Sequence, residues 1–394
     1  MERALITEIS HPLATIWLAR ERHDEASYFY GGTRLIDPAM SDGAATNALL
    51  RLMNEESGTK NRIINRAIED GALESLRDAL PEGFLQSRVA GARCLIRPRT
   101  DEIAQWLADP GHPDNGHAAD SVLARIGDAL NEREPRIKLT PDFGRYAGLA
   151  DILHAYTPNV LGIRCERGGC GGKSSYSTTG VLAGIAHALG TSPPSGAVTC
   201  IGSAGAMGSG VLEHFRSAGA ADLAVCDLVY DAPTGSPVPN GCTHLPARAG
   251  SFTAEALSRG GLIVATTVGD ELENSPLDAI PPGTSLFLAH NLALPMGARG
   301  TAMAQLLAER GVLVIPGQVL TLGGALTARL EWYWRQLPAR PEFDKQLAHR
   351  VVDCLVSYVV VCMLALAEWS AITPYEAMLR LAGEDRTPLA VSRG

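Results

Sequence analysis

The residues best placed to do chemistry by type and spacing are Gly202, Gly205 and Gly208, followed by Asp227. They lie in VTCIGSAGAMGSGVLEHFRSAGAADLAVCD, residues 198–227, which reads as a strand, a glycine-punctuated turn, a helix and a second strand ending in an acid. Glycines at such intervals let a chain turn tightly, bring its backbone against a pyrophosphate and pack a helix closely on a strand. The amides of Ala206 and Met207 then open the helix toward phosphate, where the helix dipole favours an anion. Asp227 closes the apolar run 223–226, and a carboxylate there accepts ribose hydroxyls while repelling a 2′-phosphate. The pattern predicts a nicotinamide dinucleotide, NAD in preference to NADP. Its one departure is that the first two glycines are spaced GxxG instead of GxG.

The elements around this turn are expected to form a doubly wound α/β sheet. Short apolar runs at 262–267, 285–290 and 312–315 alternate with helical or loop stretches, as parallel strands with crossover helices do. Residues 175–189 have helical spacing behind a Ser/Thr cap, so a helix leads into the sheet. Thr266 and Asn291 fall at the carboxyl ends of strands, where open α/β sheets bind ligands. Earlier in the chain, strands at 14–20, 27–30, 93–97 and 136–140 and a helix at 43–53 predict a separate mixed α/β domain. Helical patterns at 325–337, 346–369 and 373–382 are expected to return to it and leave a cleft between the two. The boundaries expected are 1–155 plus about 345–394 for the first domain and 156–344 for the dinucleotide-binding domain.

Composition narrows the classes. A chain of 394 residues suggests two domains, and 46% hydrophobic with 20% charged residues describes a soluble globular protein. A net charge of −9 without a basic run argues against nucleic acid or an anionic membrane surface as partner. The opening MERALITEIS lacks a signal-peptide core. The longest apolar stretch, 354–367, is short for a bilayer span and is expected to be a buried or interface helix. Eight scattered cysteines, with no CxxC pair and no histidine cluster, fit a reduced cytoplasmic location and predict no metal site.

Several segments, in order, resemble the glutamate/leucine/phenylalanine/valine dehydrogenase family over nearly the whole chain. Gly31-Gly32-Thr33-Arg34 matches the family's GGTR segment. Thr140-Pro141-Asp142-Phe143-Gly144 resembles its acid-hydrophobe-glycine segment, and Ser177-Thr178-Thr179-Gly180-Val181 its TA-x-G-V helix start. Ala289-His290-Asn291, Val314-Ile315-Pro316 through Thr321-Leu322-Gly323-Gly324, and Ile372-Thr373-Pro374-Tyr375 resemble later family segments. The resemblance implies reversible oxidative deamination of an amino acid: hydride leaves Cα for the nicotinamide, and water adds to the imine. It assigns Asp142 to proton exchange and Lys60 to the substrate-lysine position. Gly31, Gly32 and Thr321 would lie against the substrate, Ser177 and Thr178 near the cofactor, and the chain would form a homo-oligomer.

One departure bears on the chemistry. After the first lysine the family carries a GGGK-type segment with its catalytic lysine, whereas this chain reads Ile68-Glu69-Asp70-Gly71-Ala72. Two accounts follow. Either Lys138, Arg62, Arg66 or Lys173 supplies the cation from elsewhere, or the protein keeps NAD and acts on an imine or modified amino acid without activating water. A non-catalytic NAD-binding subunit, or an enzyme using tightly bound NAD with no net redox change, are the alternatives of other classes.

Overall fold

The computed structural model describes residues 4–112, 115–141, 143, 148–190, 196–339 and 341–383. It divides into two compact units, one of residues 1–69, 74–173 and 325–348, the other of 70–73, 174–324 and 349–394.

The first unit is built on a five-stranded mixed sheet: β1 (Ala4–Ser10), β2 (Ala14–Glu21), β3 (Tyr28–Leu35), β4 (Val89–Pro98) and β5 (Ile137–Pro141), in the order β1-β2-β4-β3-β5. β2 runs antiparallel to β1 and β4, while β3 runs parallel to both β4 and β5. Side chains alternate between faces along each strand. On one face Ile16, Leu18, Phe29, Cys94 and Ile96 share a core with Val122, Ile126 and Leu130 of helix α4 (Gly116–Glu132), which follows α3 (Asp101–Ala108). The opposite face is apolar only at its flanks. Trp17 and Leu95 pack under helix α1 (Asp42–Arg51), and Tyr28, Tyr30 and Val89 pack with Ala328.

Between those flanks the face is polar, and one continuous helical path covers it. Ser41 caps α1 by accepting from the Ala44 amide at 3.3 Å. Residues 52–58 then widen into a π-helical turn before α2 (Thr59–Glu69). Such widened turns recur at functional sites because they re-aim side chains. After β5 comes the short α5 (Leu149–His154).

The second unit opens with α6 (Ser174–Leu189) and holds a six-stranded parallel sheet. Its elements are β6 (Val198–Ile201), α7 (Ala206–Ser217), β7 (Leu223–Cys226), α8 (Leu228–Asp231), β8 (Thr243–His244), α9 (Ala254–Ser258), β9 (Leu262–Ala265), β10 (Ser285–Leu288), α10 (Ala298–Glu309) and β11 (Leu313–Ile315). The order is β11-β10-β9-β6-β7-β8. Counted from β6 this is 3-2-1-4-5-6, the doubly wound order that reverses direction between its first and fourth strands. The α/β class with a Rossmann-type sheet is therefore as expected. The strands are shorter than the apolar runs suggest: β9 ends at Ala265 and β10 at Leu288, so Thr266 and His290 already belong to the loops.

The remaining helices are α11 (Gly317–Leu320), α12 (Leu322–Trp334), α13 (Lys345–Ser370) and α14 (Pro374–Ala382). The stretch that rejoins the first unit is 325–348, whereas the sequence reading places about 345–394 there. Packing explains the difference. On α6, Gly180 and Gly184 leave room for Val352, Val356 and Val360, whose methyls would lie 3.4 to 3.7 Å from a Cβ at either glycine. That apolar stripe holds most of α13 in the second unit. By length and composition α13 is also apolar enough to cross a membrane, and half of its most apolar window is buried within the protein.

Candidate functional sites

In the second unit the glycine turn stands at the carboxyl end of β6, at the topological switch point, where open α/β sheets take their ligands. Gly202 has φ +77°, a conformation that side-chain-bearing residues rarely adopt. Gly208 is there for space: a Cβ on it would lie 2.1 Å from the Gly202 carbonyl and 2.6 Å from Thr266 Oγ1. Gly205 is the N-cap of α7, and no side chain caps the helix, so the first-turn amides of Ala206, Met207 and Gly208 face outward for an anion. This is the arrangement a pyrophosphate fits.

Asp227 follows β7 and caps α8. Its Oδ1 accepts from the Val229 amide at 3.1 Å and its Oδ2 from the Ala204 amide at 2.9 Å, which ties the acid to the glycine turn. Each carboxylate oxygen keeps a further lone pair for a hydroxyl. Beside it, Ser203, Ala204, Arg216 and Tyr230 line a pocket of about 290 Å³.

The other residues expected near a cofactor do different jobs. Thr266 donates its hydroxyl to the carbonyls of Ile201 and Gly202, at 3.1 and 3.0 Å, and thereby fastens the turn. Thr178 Oγ1 lies 3.0 Å from the Ser174 carbonyl and 3.4 Å from that of Met207, linking α6 to α7. Ser177 is half-buried one residue earlier. Asn291 and Thr321 are brought together, with Thr321 Oγ1 3.0 Å from Asn291 Oδ1 and 2.6 Å from the Gly317 carbonyl. His290 is buried and takes the Ala265 carbonyl through Nδ1 at 3.3 Å. Among the described residues no cluster of His, Cys, Asp or Glu could hold a metal ion.

The first unit carries a second polar site on the face of its sheet. Gly31 and Gly32 lie on β3, and a Cβ at Gly31 would fall 1.6 Å from the Ala92 carbonyl. A Cβ at Gly32 would stand 3.2 Å from Nη1 of Arg93, so the guanidinium lies over that glycine. Arg93 is 2% exposed and donates from Nη1 to Glu56 Oε1 at 3.0 Å. Lys60, 8% exposed in α2, and Arg34 join the same cluster. Burial would raise the Glu56 carboxyl, but Arg93, Lys60 and Arg34 together hold it below its ordinary value. Next to Lys60, Asn61 donates to the carbonyls of Tyr30 and Ala90, at 3.3 and 3.2 Å, and pins α2 to the sheet.

One strand over, Tyr30 Oη lies 3.0 Å from Thr140 Oγ1 and receives a hydrogen bond from Lys173 Nζ at 3.2 Å. Thr140 pairs with Gly32 and is followed by Pro141, the last residue of β5. Asp142 lies outside the described residues.

Of the cations considered as substitutes for a missing lysine, two are committed elsewhere. Lys138 donates to the Pro135 carbonyl at 2.8 Å and Asn159 Oδ1 at 2.5 Å, with its ammonium over the Trp332 ring. Arg62 pairs with Glu21 at 2.5 Å. A buried cation that shares a cluster with Lys60 is Arg93, which lies outside 68–72 and which the sequence reading did not single out. Its signal was an arginine in the middle of a strand, VAGARCLIRP, whose one other charge is Arg97 near its end.

A deeply buried carboxylate shapes the loop before Lys173. Glu331, fully buried in α12, accepts from the amides of Gly162, Ile163 and Cys170 at 2.8, 3.4 and 3.1 Å. Burial pushes its carboxyl above the ordinary range. The same loop puts Cys170 in the interior, where burial and then Glu331 raise its thiol.

No family model matches the sequence, and no curated protein is similar to it. Solved structures are similar over nearly its full length. L-tryptophan dehydrogenase from Nostoc punctiforme is 16% identical, with 96% of this chain and 94% of that one covered at a TM-score of 0.63. The hetero-hexameric glutamate dehydrogenase from Thermus thermophilus, in a Leu-bound form, is 19% identical, with 97% and 87% covered at a TM-score of 0.65. Glutamate dehydrogenase from Peptoniphilus asaccharolyticus is 14% identical at a TM-score of 0.59, with 97% and 89% covered. At these identities the likeness is one of fold: the chain has the two-unit fold of the amino-acid dehydrogenases.

Proposed function

We propose that this protein is an NAD-dependent oxidoreductase acting on the CH–NH2 or C=N group of an amino acid or an amino-acid-derived substrate. The observation that carries the reading is the glycine turn at the switch point of the 3-2-1-4-5-6 sheet, with Asp227 bonded to it, in a chain whose other unit pairs Gly32 with Thr140 and buries Lys60 beside Glu56. The nicotinamide would accept or return the hydride. The outward amides of Ala206 and Met207 would take the pyrophosphate, and Asp227 the ribose hydroxyls, which favours NAD over NADP. Lys60 would bind the substrate, and Asp142 would exchange a proton with its nitrogen. The glutamate/leucine/phenylalanine/valine dehydrogenases are the proposed relatives, with the first unit as the substrate and assembly domain. A soluble cytoplasmic homo-oligomer without nucleic-acid or membrane partners completes the reading.

The test is a screen of NAD reduction with amino acids and of NADH oxidation with 2-oxo acids plus ammonia and with cyclic imines, paired with calorimetric titration of NAD and NADP. Turnover of one class supports the reading. NAD binding with no turnover would favour a non-catalytic NAD-binding subunit, and no binding of either dinucleotide would end the proposal.

A further inference from the structure

Helix α13 turns two different faces to its surroundings. Val352, Val356 and Val360 lie against Gly180 and Gly184 of α6, which fixes one face inside the second unit. The opposite face carries Cys354, Leu364 and Ala365, all half-buried, with Val361 40% and Trp369 79% exposed. Steps of seven, three and four residues keep these five on one side of a helix, as an apolar stripe. A charge stands at each end of it. Arg350 and Glu368 are both exposed, and neither side chain has a hydrogen bond or ion pair among the described residues. They are 18 positions apart, about five helical turns, so they lie on one line along α13 and roughly 27 Å from each other.

We propose that this face of α13 is the contact with a second copy of the chain, packed antiparallel about a twofold axis level with residue 359. A twofold contact must be complementary to itself. Here the antiparallel copy sets Arg350 against the partner's Glu368 and Glu368 against the partner's Arg350, so that an ion pair closes each end of the seam. Between them Leu364 meets the partner's Cys354, and Val361 the partner's Ser357. The small Cys354 and Ser357 let the two axes approach to the roughly 8–10 Å of packed helices. Lipid suits the face poorly, because Arg350, Asp353 and Glu368 are all exposed beside the stripe and charges are costly at bilayer depth. The proposal deepens the homo-oligomer part of the function proposed above and uses none of its redox chemistry.

The test is sedimentation equilibrium of the full chain over a dilution series. It is run on the wild type, on Arg350→Glu, on Glu368→Arg, on the double variant that carries both reversals, and on Val361→Arg, with circular dichroism to establish that each is folded. The wild type should self-associate. Each single reversal turns two attractive pairs per dimer into repulsive ones, and should weaken association about tenfold or more at low salt. The double variant restores opposite charges across the seam and should recover the wild-type affinity within a few fold, while Val361→Arg, which puts a charge into the apolar middle, should be monomeric. A monomeric wild type, single reversals that associate like the wild type, or a double variant as weak as the singles would overturn the proposal. A monomeric wild type that floats with phosphatidylcholine vesicles, and no longer does so as Val361→Arg, would assign the face to lipid instead; one that ignores vesicles would leave it to residues 384–394 of the same chain. A monomer that turns over NAD would end the proposed contact and leave the proposed function standing, and an associating chain that binds neither dinucleotide would do the reverse.

Discussion

The two polar sites are built by opposite means. The dinucleotide-type turn of the second unit is made by neighbours in sequence: Gly202 to Gly208 form the loop, and Asp227 arrives one helix later. Only Thr266 is contributed from farther along the chain. On the sheet face of the first unit, Arg93 and Glu56 are 37 residues apart and Tyr30 and Thr140 are 110. A local site leaves a signature of spacing, whereas a site assembled across strands leaves only residue types at inward positions. Function can be read from a motif in the first case and only from packing in the second.

The sharpest way to break the first unit's site while sparing the second is to remove Glu331. In Glu331→Ala the amides of the buried Ile163 and Cys170 and of the half-buried Gly162 lose their acceptor. Each buried unsatisfied donor costs about 1–3 kcal/mol, so we expect a loss of roughly 3 kcal/mol or more in chemical denaturation. Dinucleotide binding by the folded fraction should persist. A loss below about 1 kcal/mol would show that the loop is held by other means.

The converse experiment strikes the turn. Gly208→Val places a Cβ within 2.1 Å of the Gly202 carbonyl, a backbone atom that cannot step aside. Overpacking of this kind costs about 1–3 kcal/mol, and we expect NAD binding to be lost in calorimetry. Gly205→Ala is the control. Its φ is −69° and its added Cβ would lie 3.3 Å from the same carbonyl, so binding should survive within a few fold. Equal effects of the two variants would mean that the turn does not carry the cofactor.

Asp227 sharpens the comparison further. Asp227→Asn keeps an acceptor for the Val229 amide but removes the negative charge that would exclude a 2′-phosphate. We expect NAD affinity to fall about tenfold and the preference over NADP to narrow by more, since hydrogen bonds to charged groups contribute about 1.5–3 kcal/mol. Tighter binding of NADP than NAD by the wild type would overturn the assignment.

What was legible follows from the same contrast. The doubly wound sheet, α6, the strand of Gly31 and Gly32, and the paired C-terminal helices all announce themselves through short-range periodicity. The edge strand β1 and helix α4 escaped notice because their burial is set by the sheet they pack against: β1 presents mostly exposed or half-buried residues. The contact-defined units divide the C-terminal helices differently from the expected boundary because an apolar helix does not name its partner, and the glycines of α6 that receive α13 lie far earlier in the chain. Arg93 was missed for a related reason. It sits among Ala90, Gly91, Ala92 and Cys94, a run that reads as core strand, and only the contact with Glu56 shows that its charge is turned inward.

The smallest effect separates a buried charge whose contacts are complete from one whose contacts are not. Lys138 shares the sheet with Arg93, yet its ammonium already faces two oxygens and the Trp332 ring. Burial, and then Arg335, still pull it down to about 8 from 10.5. Between those two values the unfolded chain holds a proton that the folded chain has released, so stability should rise as pH climbs from about 8 toward 10.5. The expected signature is a modest increase in the denaturation midpoint over that window in the wild type, and a flatter profile in Lys138→Met. Identical slopes in the two proteins would show that the ammonium is fully supported by its contacts. It would then be as stably charged as a surface lysine, and Arg93 would differ from it by the two guanidinium nitrogens that lack an acceptor among the described residues, not by burial.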